Sequence, residues 1–151
     1  MKQSAKNLKE LRATAEGFLR TLIEGVPKET ATVVGLSGDL GTGKTAFTKC
    51  VASILGITEI VTSPTFILEK VYIIPRKSVA SDRFTKLIHI DAYRLEGGND
   101  MRALDWNALC LDEHNLIFLE WPERVESALP EDMIKISFEY VSEGVRNISI
   151  K

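Results

Sequence analysis

Eight consecutive residues, Gly38-Asp39-Leu40-Gly41-Thr42-Gly43-Lys44-Thr45, have the types and spacing to hold a chain of phosphates. Gly, four residues, then Gly-Lys-Ser/Thr is the pattern of a phosphate-binding loop (Walker A), and each fixed residue has a physical task. Glycines tolerate positive φ and let backbone N–H groups close on an anion, with a helix N-terminus adding partial positive charge behind them. Lys44 is placed to neutralise β and γ phosphates. Thr45 is placed to give its hydroxyl to Mg²⁺, an ion that favours oxygen ligands and phosphate partners. The competing reading is a Gly-rich turn with a Lys after it.

Two carboxylates extend this chemistry. Lys86 to Asp91 (KLIHID) and Asn115 to Glu120 (NLIFLE) read as short strands, and each ends in an acid. In an open α/β sheet the ligand crevice lies outside the carboxyl ends of the strands, so both acids are expected to face the phosphates. Glu120 could coordinate Mg²⁺ directly or through water, or orient the attacking water; the alternative is an N-cap or surface acid beside Pro122. Asp91 is expected to position or deprotonate water. His89 shares a face with Asp91 and reads as a packed or hydrogen-bonded core histidine. Arg94 could bind phosphate or form a salt bridge that holds its loop. Trp121, next to Glu120, either stacks on the nucleotide or packs near it. In Val61-Thr62-Ser63-Pro64-Thr65-Phe66, Thr65 is the candidate sensor of γ-phosphate or Mg²⁺, against a simple turn around a proline.

The elements that must position these groups are visible too. Thr32-Val33-Val34-Gly35-Leu36 reads as a buried parallel strand before the loop, and Ala46 to Leu55 as the helix after it, stopped by Gly56. Ser4 to Glu24 has an amphipathic helical stripe, Ile67 to Ile74 an extended character, and Glu96 to His114 helical spacing after a Gly97-Gly98-Asn99 turn, with Trp106 packing. Pro75 to Arg83 reads as an exposed loop, with closure over a nucleotide or contact with a partner as the alternative. Met133 to Tyr140 and Val145 to Ile150 alternate around Ser142-Glu143-Gly144, a β-hairpin. The fold expected is an α/β P-loop NTPase, with a mostly parallel sheet flanked by helices and extended by the C-terminal hairpin, forming one P-loop ATPase domain over residues 1–151.

Bulk properties narrow the class. The 151 residues are 44% hydrophobic and 26% charged, enough for one core. A net charge of −2 leaves no basic footprint, so tight direct binding of nucleic acid is not expected. Cys50 and Cys110 are too few for a zinc site or disulfide framework and are expected as buried thiols. With no signal pattern and no apolar run of about twenty residues, a soluble cytoplasmic protein without membrane contact is expected. No Asn-Lys-x-Asp stretch reads guanine, and there is no room for the large appended domain of a motor ATPase.

The set formed by the loop, Ser63-Pro64-Thr65-Phe66, His89-Ile90-Asp91-Ala92-Tyr93-Arg94 and Glu120-Trp121-Pro122-Glu123-Arg124 resembles the TsaE (YjeE) family, in order and across nearly the whole chain. The late Gly144-Val145-Arg146 turn belongs to the match. The resemblance implies an ATPase needed to make N6-threonylcarbamoyladenosine in tRNA, binding the heterodimer of TsaD and TsaB and meeting tRNA only through those partners. It also implies ATP and Mg²⁺ as cofactors, Asp91 and Glu120 as the essential acids and Thr45 as the metal hydroxyl. Two departures bear on partner contacts and local geometry: a long connector from Tyr72 to Leu87, and Asp105 where members often have Gly. With no arginine evidently fixed at the γ-phosphate, slow turnover in isolation and stimulation by the partners are expected. The rivals are a small-molecule kinase whose 75–83 loop closes as a lid through Arg76, Lys77 and Arg83, and a non-hydrolysing module whose binding depends on nucleotide.

Overall fold

In the computed structural model, which describes residues 1–64 and 68–151, one seven-stranded sheet carries the elements in the order β1-β7-β6-β2-β5-β4-β3. These are β1 (Lys2–Ala5), β2 (Thr32–Ser37), β3 (Glu69–Ile73), β4 (Lys86–Asp91), β5 (Asn115–Glu120), β6 (Ile134–Ser142) and β7 (Val145–Ile150). Four central strands, β6, β2, β5 and β4, are mutually parallel. Both flanks are antiparallel, so the sheet is evenly mixed rather than mostly parallel. A two-residue turn between β6 and β7 permits no other pairing, and β1 then adds to the free edge of β7. Among the described residues no helix is long and apolar enough to cross a membrane.

Of the central strands, β2, β4 and β5 are buried on both faces, which is why NLIFLE reads as an unbroken apolar run. On one face Leu116 and Phe118 of β5 meet α1 (Leu8–Glu24) and α2 (Lys44–Ile54). Phe118, Phe18 and Phe47 form an aromatic cluster with ring centroids 5.9–6.4 Å apart, and Phe138 joins it 5.6 Å from Phe47. On the other face Ile117 and Leu119 pack with Ile88, Ile90, Met101 and Trp106.

Three further expectations change. The helix expected from Ser4 starts at Leu8, because Asn7 accepts from the Glu10 amide (2.9 Å) while Glu10 accepts from the Lys6 amide (2.7 Å). That reciprocal cap fixes the helix start and frees Lys2–Ala5 to pair with β7. The helical stretch from Glu96 to His114 is broken in two, a 3₁₀ helix over Gly98–Leu104 and α3 (Trp106–Leu111), by Asp105 in the left-handed region (φ 54). Glycine suits that conformation best, and Asp is among the few other residues that adopt it as single residues.

The third concerns the alternative role of the 75–83 loop. Ile73 pairs with Lys86 across β3 and β4, so the loop lies beside the amino end of β4, away from Asp91. Arg83 donates to the carbonyls of Gly25 (2.6 Å) and Val26 (2.8 Å), and Ala80 and Phe84 are buried. The segment is the exposed loop expected, with Ala80 buried within it, and Arg83 ties it to the far end of the strands, which argues against the alternative of closure over the cleft. Cys50 is buried and Cys110 half-buried, and neither is in a disulfide. Burial raises both thiols, Cys110 to about 11.

Candidate functional site

At the carboxyl ends of the parallel strands, a cleft of about 350 Å³ is lined by loop residues, by Asp91, Glu120 and Trp121, and by Arg146. β2 delivers the chain into the loop at Ser37, and α2 begins at Lys44 immediately after it. Gly43 is the N-cap with φ 106, and no side chain caps the helix. The first-turn amides are thus left to whatever the cleft contains. Gly38 (φ 145) leaves no room for a side chain, since a Cβ there would stand 2.5 Å from the Phe138 carbonyl oxygen. Thr42 closes the loop through its hydroxyl, which donates to the Asp39 carbonyl at 2.7 Å.

Lys44 is 5% exposed and folds back along the loop. Its Nζ donates to the carbonyls of Gly38 and Asp39, the latter at 2.9 Å, and lies 4.5 Å from the Trp121 ring centroid. Burial lowers its pKa, and Glu120 first, then Asp91, Glu123 and Asp39, pull it back toward the charged form. The ammonium is a buried cation surrounded by acids, not a solvated surface lysine.

Register places the two acids side by side. Asp91 pairs with Glu120 across β4 and β5, and Leu36 pairs with Glu120 across β2. Glu120 Oε1 accepts from the Thr45 hydroxyl at 2.8 Å and from His89 Nε2 at 2.9 Å. Because an ionised carboxylate only accepts, Nε2 is the protonated nitrogen of that ring. Burial pushes the Glu120 carboxyl up, but His89, Thr45 and Lys44 together outweigh it and hold the pKa below the ordinary value. His89 is fully buried, as expected of a core histidine, yet its bond is to the cleft acid. Asp91 is 3% exposed and its Oδ1 accepts from the Tyr93 amide at 2.9 Å, fixing the turn that leaves β4.

Trp121 both packs and lines the cleft. Its left-handed backbone (φ 60) ends β5 abruptly, held by its amide bonding the Leu36 carbonyl at 3.2 Å. Such a conformation is costly for a non-glycine residue and turns the indole toward Lys44 and the Tyr93 ring, 5.0 Å away. Ser63 also lines the cleft, whereas Thr65 lies outside the described residues. Of the loop, Leu40, Gly41, Gly43, Lys44 and Thr45 line the cleft directly, while Gly38, Asp39 and Thr42 shape it through the contacts above. The residue that sequence reasoning missed is Arg146, present only as part of a turn motif. The available signal was a cation opening the last strand, but nothing local reveals that β6 neighbours β2 and so carries β7 toward the loop.

Comparisons with known proteins show the family. The family model described as "Threonylcarbamoyl adenosine biosynthesis protein TsaE" matches residues 5–148. A tRNA threonylcarbamoyladenosine biosynthesis protein TsaE from Treponema pallidum is 39% identical over 122 residues, covering 81% of this chain and 83% of the relative. Its namesake from Bacillus subtilis is 36% identical over 121 residues, 78% of this chain and 67% of the relative. The crystal structure of YdiB from Bacillus subtilis superposes with a TM-score of 0.73 at 29% identity, over 99% of this chain and 83% of that one. The chain belongs to the TsaE family.

Proposed function

We propose that this chain is a Mg²⁺-dependent P-loop ATPase that acts in threonylcarbamoylation of tRNA adenosine beside the anticodon, working with a heterodimer of TsaD and TsaB homologues. The observation that carries the reading is the part-buried contact of Thr45 with the buried Glu120, 2.8 Å, beside Lys44 and Asp91 at the mouth of the loop. A hydroxyl and a carboxylate converging there form a hard oxygen donor set. Among the described residues no group of three or more His, Cys, Asp or Glu is set to cage a metal. Mg²⁺ suits this poverty of protein ligands, since it is held by one or two side-chain oxygens together with substrate phosphates.

In this reading Thr45 and Glu120 would hold the ion, which would supply neutralisation of the phosphate charge. The loop amides and Lys44 bind phosphoryl oxygens, with Lys44 exchanging its bonds to the loop carbonyls for the substrate. His89 fixes the rotamer of Glu120 from below. Asp91, held by the Tyr93 amide, orients water or takes its proton. Trp121 shields Lys44 from solvent. The net charge of −2 fits a protein that leaves the tRNA to its partners.

The test follows ATP to free phosphate with Mg²⁺, with and without the TsaB–TsaD pair, while screening for any phosphorylated third species. The reading predicts free phosphate, faster with the pair and at least about a hundredfold slower in Glu120→Ala. Phosphorylated product without free phosphate would make the chain a kinase. Nucleotide binding with no turnover under either condition would make it a switch module, and full activity in Glu120→Ala would remove the metal role.

A further inference from the structure

Arg146 opens β7 directly after the Gly144 turn, paired with Tyr140 and Ala5. From that position its side chain crosses to the loop. A Cβ placed on Gly43 would stand 2.4 Å from Arg146 Nη1 and 3.3 Å from its Cδ and Cζ, so the guanidinium stem lies against the bare backbone of Gly43. Two constraints therefore meet at that glycine, its φ of 106 and the arginine above it.

This is a poor place for a cation on stability grounds. Gly43 is the N-cap of α2, where the helix dipole and the unbonded amides already present positive charge. Lys44 adds a second cation from the same turn. Among the described residues no carboxylate lies within ion-pair distance of Arg146. A half-buried guanidinium packed on a helix N-terminus, in a cleft with Lys44, is stabilised only when an anion joins it. Lys44 covers the Gly38–Asp39 side of the loop and Arg146 covers the Gly43 side.

We propose that Arg146 is a direct ligand of the nucleotide's phosphate chain, a second cation supplied in cis by the C-terminal hairpin. The inference rests on the nucleotide reading of the cleft. Its chemistry is that of a planar fork of donors, which binds phosphoryl oxygens in pairs where an ammonium binds as a point charge. It also gives the hairpin a purpose beyond widening the sheet.

The test is competition against a fluorescent ATP analogue, with ATP and with tripolyphosphate, which has no base or ribose. The full chain is compared as wild type, Arg146→Ala, Arg146→Lys and Arg20→Ala, the last removing one exposed charge elsewhere on α1. Arg146→Ala is expected to weaken both competitors by about 10- to 100-fold, Arg146→Lys by a smaller factor, and Arg20→Ala by less than about twofold. Melting without ligand establishes that each variant is folded. If Arg146→Ala does not fold, Arg146→Lys carries the test, with a loss of about three- to tenfold expected for both competitors. Binding within twofold of wild type overturns the proposal, as does a loss confined to ATP, which would assign the arginine to base or ribose. An equal loss in Arg20→Ala overturns it as a general charge effect. Should the wild type bind neither competitor, the nucleotide reading itself falls and takes this inference with it.

Discussion

At the carboxyl ends of β2, β5 and β4 the molecule buries charge, and at their amino ends it does not. Lys44, Asp91 and Glu120 are each 5% exposed or less and stand together around one cleft, with His89 bonded to Glu120 behind it. The buried polar residues at the other end, Thr32 and Asn115, are neutral, and Asn115 donates to the Leu109 carbonyl at 3.0 Å. Charges there stay near solvent and hold chain segments in place, as Arg83 does with Gly25 and Val26 and Lys28 does with Asp132 at 2.6 Å. Burying an ion costs several kcal/mol unless something compensates it. A cluster of buried ions beside left-handed backbone at Gly43 and Trp121 is the arrangement of a site, whereas exposed ions on loop carbonyls are the arrangement of a brace.

The contrast can be broken most sharply at Lys44. Lys44→Ala should cut partner-supported phosphate release by about a hundred- to a thousandfold, because the ammonium is the cation on the Gly38–Asp39 side of the loop, which Arg146 does not cover. Next is His89, which never reaches the cleft and acts through Glu120. His89→Ala should lower turnover by about 10- to 100-fold with little change in nucleotide affinity, and His89→Gln, which keeps a donor, should recover part of it. The split between rate and affinity separates this role from simple loss of packing.

At the brace the expected effects are on stability. Arg83→Ala should lower the unfolding free energy by about 1 kcal/mol, or a few degrees of melting temperature, while phosphate release stays within about twofold. A large loss of turnover there would erase the distinction between the two ends. Asp105→Gly relieves the left-handed backbone between the 3₁₀ helix and α3 and should add about 0.5–1 kcal/mol by thermal or denaturant unfolding. The smallest effect concerns acid. The folded-state pKa of Glu120 lies below its unfolded value of 4.5, so its stabilising contribution is complete above that pH and lost as pH falls through the folded value. Glu120→Gln should flatten that acid limb of the stability profile.

Much of the site could be read from sequence because its parts are local. A loop motif, an acid at the end of an apolar run and a His two residues before an Asp are each defined within a few residues, and strand ends in a parallel sheet share one side. What could not be read depends on distant neighbours. Arg146 reaches Gly43 only because β6 pairs with β2, a contact across about a hundred residues of chain. β1 is four residues, Lys-Gln-Ser-Ala, with one buried position, so it offers no alternation to detect. For Trp121 stacking and packing both stayed open, because its sequence gives no hint of the left-handed turn that swings it over Lys44. The 75–83 loop reads as exposed in sequence, but which end of the sheet it lies at is set by the register of β3 on β4, which sends it away from the cleft.

Amide chemical shifts of the ¹⁵N-labelled chain, followed as ATP and Mg²⁺ are added, test the division between the two ends most directly. Large shifts should fall on Gly38 to Thr45, on Asp91, on Glu120 and Trp121, and on Arg146, while Arg76 to Arg83, Gly25 and His114 stay unmoved. Shifts centred on the 75–83 segment with a silent loop would contradict the account.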